Sequence, residues 1–142
     1  MFASDYVIGL VDGEGSFTVY VRNPDIHVKL KRRVVAEPKF CVKLAEEDKS
    51  ILLALQRFFG CGNVYFQKDN RKHHTHCYRY EVGNRDDLKN VIIPFFKVHR
   101  LQFPSKRRDF KIFCGLFSRI SRGEHLTESG LRNLYKRKQL MH

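Results

Sequence analysis

The feature that most constrains this chain is a change of period between Ser4 and Val21. Tyr6, Val7, Leu10 and Val11 recur at helical spacing, which predicts a short helix from Ser4 or Asp5 to about Gly13, its first turn capped by one of those two residues. Directly beyond it, Phe17, Val19 and Val21 alternate with Thr18, Tyr20 and Arg22, the two-residue period of a half-buried strand. Gly9 and Gly13 lie four apart on one side of the helix, where a neighbouring backbone can approach closely. Asp12 and Glu14 fall at its C-terminal end. That end carries about half a negative charge, so each carboxylate is disfavoured there by ~0.3–1 kcal/mol. Something positive must offset them: a divalent cation, or a backbone donor of a partner helix.

The rest of the chain alternates strands and helices. Asn23-Pro24-Asp25 breaks the first strand. A second strand is expected near Glu37 to Leu44, with Phe40, Val42 and Leu44 on one face and Lys39, Cys41 and Lys43 on the other. Glu46 to Phe59 reads as a helix with Ile51, Leu52, Leu55, Phe58 and Phe59 as its buried stripe and Gly60 as its terminator. Val64 and Phe66 alternate with Tyr65 and Gln67 in a third strand, and Tyr78, Tyr80 and Val82 with Cys77, Arg79 and Glu81 in a fourth. Between them lies a basic hairpin tip, Lys68 to His76. A helix is expected from about Arg85 to Ile93, stopped by Pro94; a basic segment after Ser105 leads into another, carrying Phe110, Phe113 and Leu116; the last covers about Thr127 to Leu140. The expectation is one α+β domain over residues 1–142, an antiparallel sheet with helices on one face.

Charge narrows the partners. Lys+Arg number 27 and Asp+Glu 15, a net +12 on 142 residues, which calls for an anionic partner, nucleic acid first. The polar sheet face would carry Thr18, Tyr20, Arg22, Lys39, Lys43, Tyr65, Gln67 and Arg79, a basic and aromatic surface suited to a nucleic-acid groove. No apolar run approaches the ~20 residues of a membrane span. Met1 to Tyr6 lacks the layout of a secretory signal, so an intracellular protein of bacterial cytoplasm or organelle matrix is expected, with no membrane partner. Cys41, Cys61, Cys77 and Cys114 are irregularly spaced and read as reduced thiols, and His73-His74-Thr75-His76-Cys77 as a solvated loop.

The stretch Val7 to Gly15 resembles the motif of the LAGLIDADG homing endonucleases. Gly9, Leu10, Asp12 and Gly15 match it letter for letter, Glu14 stands where the second Asp does, and Ser16-Phe17 continues it as in the family. Ile92-Ile93-Pro94-Phe95-Phe96, Lys106-Arg107-Arg108-Asp109-Phe110 and His125-Leu126-Thr127-Glu128-Ser129-Gly130-Leu131 look like downstream landmarks of its single-motif members, in the right order. The resemblance implies the family's αββαββα fold with a saddle-shaped sheet. It also implies a site-specific double-strand DNA endonuclease acting on a long, palindromic or near-palindromic target. The alternatives are an RNA-splicing maturase and a non-catalytic DNA-binding regulator on the same fold.

Further implications concern the site. A single-motif chain must dimerise, with Tyr6, Val7, Gly9, Leu10, Asp12 and Gly13 at the interface of two copies of the first helix. Glu14 would hold a divalent metal, Mg2+ with Mn2+ or Ca2+ as substitutes for binding; the Gly13 carbonyl would assist, and Asp12 would be a weaker metal or support candidate. No organic cofactor is required. The family's basic residue beside the metal matches Lys106 through the Lys-x-x-Asp-aromatic pattern, or His99 if counted forward from Pro94-Phe95-Phe96. Where some relatives carry a water-positioning glutamine at the end of the second strand, this chain has Leu44. Base contacts would come from Arg22, Lys39, Lys43, Arg79 and Gln67, with Thr18, Tyr20, Tyr65 and Cys41 on the same face. Lys29, Lys31, Arg32, Arg33, Lys68, Arg71 and Lys72 would meet phosphates.

Overall fold

The computed structural model describes residues 2–26 and 34–142. Lys29, Lys31, Arg32 and Arg33, expected at phosphates, lie outside the described residues. The period change at the start of the chain is a change of element without a loop: helix α1 (Ser4–Glu14) passes directly into strand β1 (Gly15–Val21). A Cβ on Gly15 would stand 2.7 Å from Val11 Cγ1, so only glycine lets the strand leave the helix this tightly. Strand β2 (Ala36–Ala45) follows, then a 3-10 turn (Glu46–Asp48), α2 (Lys49–Phe59), β3 (Asn63–Gln67) and β4 (Cys77–Val82). The C-terminal third holds α3 (Arg85–Asp87), a π-helical turn (Leu88–Ile92), α4 (Ile93–Val98), α5 (Pro104–Ser121) and α6 (Glu128–Lys138).

The four strands form one antiparallel sheet in the order β1-β2-β4-β3. Alternation sorts the faces of β1, β2 and β4 as the sequence predicts; in the edge strand β3 it does not, and Phe66, expected on the apolar face, is half exposed. Phe17, Val19, Val21, Phe40, Val42, Tyr80 and Val82 point inward and are buried under α2, α5 and α6. The centre of this core is Phe17, whose ring lies 5.0–5.4 Å from those of Phe40, Phe96, Phe110 and Phe113. Such aromatic pairs contribute ~0.5–1.5 kcal/mol each beyond the area they bury. The first strand after α1 is thereby held by α4, α5 and β2 at once.

Four local expectations are corrected. Neither Ser4 nor Asp5 caps α1; Ala3 takes that position, and its carbonyl accepts from the Tyr6 and Val7 amides. The buried stripe of α1 is Val7, Ile8 and Val11, while Tyr6 is half exposed. Pro94 does not stop a helix. It lies in the first turn of α4, after the π-helical turn, whose wider spacing relieves the clash of a proline ring with a preceding carbonyl. The basic segment Lys106-Arg107-Arg108 is no lead-in but the first turns of α5 itself, which fixes the direction of each side chain.

The turn that starts β3 carries its own constraint. Gly60 and Gly62 have φ of +71° and +85°, and a Cβ on Gly62 would stand 2.7 Å from the Tyr80 ring and 2.9 Å from the Glu81 carbonyl. Gly62→Ala is therefore expected to lower stability by ~1–3 kcal/mol, read as a fall in thermal midpoint, because the site cannot relax without displacing β4. An unchanged midpoint would show that this turn is not under the constraint described.

Candidate functional site

The end of α1 separates its two acids. Asp12 is 4% exposed, and its carboxylate accepts the amide N–H of Gln102 at 2.9 and 3.1 Å and that of Phe103 at 3.1 Å. The donors expected from a partner helix thus come from the chain's own loop ahead of α5, ninety residues downstream. Both Asp12 oxygens are engaged inside the fold. Glu14 is the opposite: it is exposed and forms no ion pair or side-chain hydrogen bond among the described residues.

The same loop brings a cation to this end. Lys106, in the first turns of α5, donates its ammonium to the carbonyl of Gly15, the residue following Glu14. His99 is not brought there; its ring lies 4.7 Å from that of Phe95, which packs on Phe58 and Phe59 of α2. Of the two basic residues singled out from the sequence, Lys106 is the one that touches the helix end. Among the described residues no group of three His, Cys, Asp or Glu side chains converges as a metal cage. The exposed Glu14 carboxylate, beside the terminal carbonyls of α1, is a hard-oxygen donor set. It suits Mg2+ or Ca2+, which accept one or two carboxylates and complete their shell with water and phosphate.

The outward surface of α1 is bare. Gly9 and Gly13 are exposed, a Cβ on either would meet nothing within 4 Å, and Tyr6 and the half-buried Leu10 flank them. Among the described residues no close contact requires glycine at these positions. Two residues expected at an interface do not belong to that surface: Val7 is fully buried in the chain's own core, and Asp12 is enclosed by its backbone donors.

The outer sheet face carries the predicted polar residues. The register pairs Thr18 with Lys39, Lys43 with Arg79, and Arg79 with Tyr65. Tyr20 is paired with Glu37, and Arg22 donates its amide to Val35 just past the end of β1. Lys43, Gln67, Lys68 and Arg71 line one polar cleft of about 240 Å³ with Asp69 and Cys77. The hairpin tip is folded on itself: Arg71 grips the Asp69 carboxylate at 2.7–3.2 Å, holding it well below the usual carboxylate range, and His76 Nδ1 accepts the Asp69 amide at 3.0 Å. Lys72 is exposed on the same tip. Cys41 is half-buried between Ser16 and Glu81, and burial pushes its thiol up to about 11, so it presents a neutral S–H.

Glu81 is an acid on this face that the sequence-based candidates left out. It sits amid the basic face, 2.9 Å from Lys39 Nζ and 2.7 Å from Arg79 Nε, and Lys39 also reaches Glu37 at 3.3 Å. Burial pushes the Glu81 carboxyl up, but the bonds from Lys39 and Arg79 outweigh this and leave it below its ordinary value. Its ion pairs therefore stabilise the fold above the ordinary carboxylate range and are lost as pH falls through the lowered folded value. The signal was present: Arg79 and Glu81 are two apart on one strand and share a face.

The comparisons with known proteins fit this geometry. Residues 7–117 match the family model described as LAGLIDADG endonuclease. The chain is 32% identical over 109 residues to a probable intron-encoded DNA endonuclease 1 of Mycosarcoma maydis, covering 77% of this chain and 35% of that protein. It superposes on the homing endonuclease I-TnaI with a TM-score of 0.79 at 35% identity, covering 99% of this chain and 88% of that one. It superposes with a TM-score of 0.81 on I-SmaMI bound to an uncleaved DNA target in the presence of calcium ions, at 27% identity, covering 100% of this chain and 45% of that one. The chain belongs to the LAGLIDADG endonuclease family. It spans about a third of the length of the fungal relative.

The two acids are expected to differ sharply on substitution. Asp12→Ala leaves two buried amides without an acceptor, at ~1–3 kcal/mol each, and should cost roughly 2–4 kcal/mol in denaturant unfolding. Glu14→Ala should stay within ~0.5 kcal/mol of the parent, as for an exposed side chain without partners. Equal costs would refute the division of labour between them.

Proposed function

We propose that the protein is a site-specific DNA endonuclease that works as a homodimer on a palindromic or near-palindromic duplex and requires a divalent cation. The observation that carries this reading is the arrangement at the end of α1: an exposed Glu14 without a side-chain partner among the described residues, next to a backbone carbonyl held by Lys106. A carboxylate without a charge partner among the described residues at the negative end of a helix is disfavoured by that end's partial charge, and a cation bound there would offset it.

The chain's own groups divide the work. Asp12 fixes the angle at which α1 meets α5. Glu14, with the Gly13 carbonyl, would hold the cation, and Mg2+ bound there would supply a more acidic water and offset charge on the scissile phosphate. Lys106, held at the Gly15 carbonyl, would place a positive charge near the same phosphate. The outer sheet face and the hairpin tip would carry the duplex, with Lys68 and Lys72 on phosphates and Lys43, Arg79 and Gln67 toward base edges. The workplace would be the intracellular compartment that holds this DNA.

Two observations support two copies. Among the described residues nothing packs on Gly9 or Gly13 of α1, which leaves room for a second copy to approach. A single copy also matches 45% of the DNA-bound I-SmaMI chain, about half of a larger DNA-binding unit. Gly9→Leu tests this directly. The change raises intrinsic helix propensity by roughly 0.8 kcal/mol, so thermal stability should hold while sedimentation shows the two-chain assembly lost. A two-chain assembly that survives the leucine would remove this helix surface from the interface.

Activity is tested on a duplex selected from a randomised library. With Mg2+ the parent should nick and then cut it, and chelation should abolish cleavage. Glu14→Gln should bind with similar affinity but cut on the order of 10³-fold more slowly, the several kcal/mol expected of metal-assisted charge stabilisation. Undiminished cleavage by that variant would exclude Glu14 from the chemistry.

A further inference from the structure

A carboxylate at the centre of a surface meant for a polyanion is repelled by every phosphate that approaches, so its place there needs a reason. Glu81 is such a group, its side chain only 13% exposed between Lys39 and Arg79. Its contact with Arg79 is specific in geometry: Oε2 accepts from Nε at 2.7 Å, leaving both terminal nitrogens of the guanidinium unengaged by this bond. The guanidinium also lies over the Tyr65 ring, 5.1 Å from its centroid, with Tyr65 the cross-strand neighbour of Arg79. The fork is therefore held at its base by an acid and on its flat side by a ring. Lys39 binds the other oxygen, Oε1, at 2.9 Å, which keeps the carboxylate itself from turning.

We propose that Glu81 is a specificity-determining positioning residue: it clamps Arg79 so that its two terminal nitrogens are presented end-on to one guanine in the half-site this chain covers. A guanine offers O6 and N7 in the major groove as two acceptors at the spacing of that fork, the pairing that reads this base over the other three. An unclamped arginine on a basic face would swing to the nearest phosphate, which gives affinity without sequence information. Glu81 lowers that alternative by repelling phosphate at the same spot, so it exchanges general affinity for discrimination. This rests on the DNA-binding reading above, and it adds a role to a residue that touches neither the metal end nor the helix interface.

The test is a binding selection from a randomised duplex library in Ca2+, run on the parent, Glu81→Gln and Arg79→Lys, with thermal melts to confirm that all three fold. The parent should select guanine at one position of each half-site. Both variants should lose that preference at that same position, by on the order of tenfold, and keep the preferences elsewhere. For Glu81→Gln, affinity for non-target duplex should hold or rise, which a merely structural role would not produce. Arg79→Lys supplies the second arm, because lysine keeps the charge but not the fork. The proposal is overturned if Glu81→Gln keeps the guanine preference, loses preference at a position Arg79→Lys does not affect, or weakens binding to every duplex alike. A parent that selects no sequence at all would instead overturn the DNA-binding reading, and this one with it.

Discussion

The structure turns on one buried carboxylate. Asp12 accepts two backbone amides from the loop ahead of α5, and this ties segments ninety residues apart at the point where α1 becomes β1. A carboxylate at the negative end of a helix needs compensation, and here two amides supply it at 2.9–3.1 Å. Through that tie α5 starts where its first turns can send Lys106 to the Gly15 carbonyl. Phe17, two residues on, is locked among four other rings, so the junction rests on the densest part of the core.

With Asp12 satisfied inside, Glu14 is the acid of this helix end that no described residue pairs. The contrast is the informative part. Two carboxylates two residues apart on one helix have been assigned opposite fates, one to hold the chain together and one to face outward beside a lysine. The same economy governs the sheet. Its outer face is basic in sum, yet Lys39 and Arg79 are held by Glu81 and Arg71 by Asp69, while Lys43, Lys68 and Lys72 carry no such acid among the described residues. A face built only to attract phosphate would not compensate a subset of its cations.

Much of this was legible in the sequence where a short-range pattern carries it. The switch from helical to strand period at Gly13 to Gly15, the inward and outward residues of β1, β2 and β4, and the left-handed terminator at Gly60 all follow from spacing and from glycine's backbone freedom. What was not legible depends on contacts between distant segments. No local rule says that Asp12 meets residues 102 and 103, so spacing alone leaves a second copy or a cation as its source of compensation. That Lys106 meets the end of α1 while His99 rests on Phe95 depends on the basic segment being already helical, which no short-range pattern shows. Pro94 misled because a π-helical turn before it accommodates the ring. Val7 looked like interface because periodicity marks a face as apolar without saying whether that face meets its own sheet or a neighbour.

In the proposed function, the exposed end of α1, through Glu14, is where a divalent cation would meet the DNA backbone. A crystal structure of the protein on a library-selected duplex, grown with Ca2+ so that binding occurs without turnover, tests it most directly. The account predicts calcium density between the Glu14 carboxylate and a backbone phosphate oxygen, with Lys106 on the same phosphate side. Calcium bound elsewhere, or a Glu14 carboxylate turned away from both ion and phosphate, would contradict it.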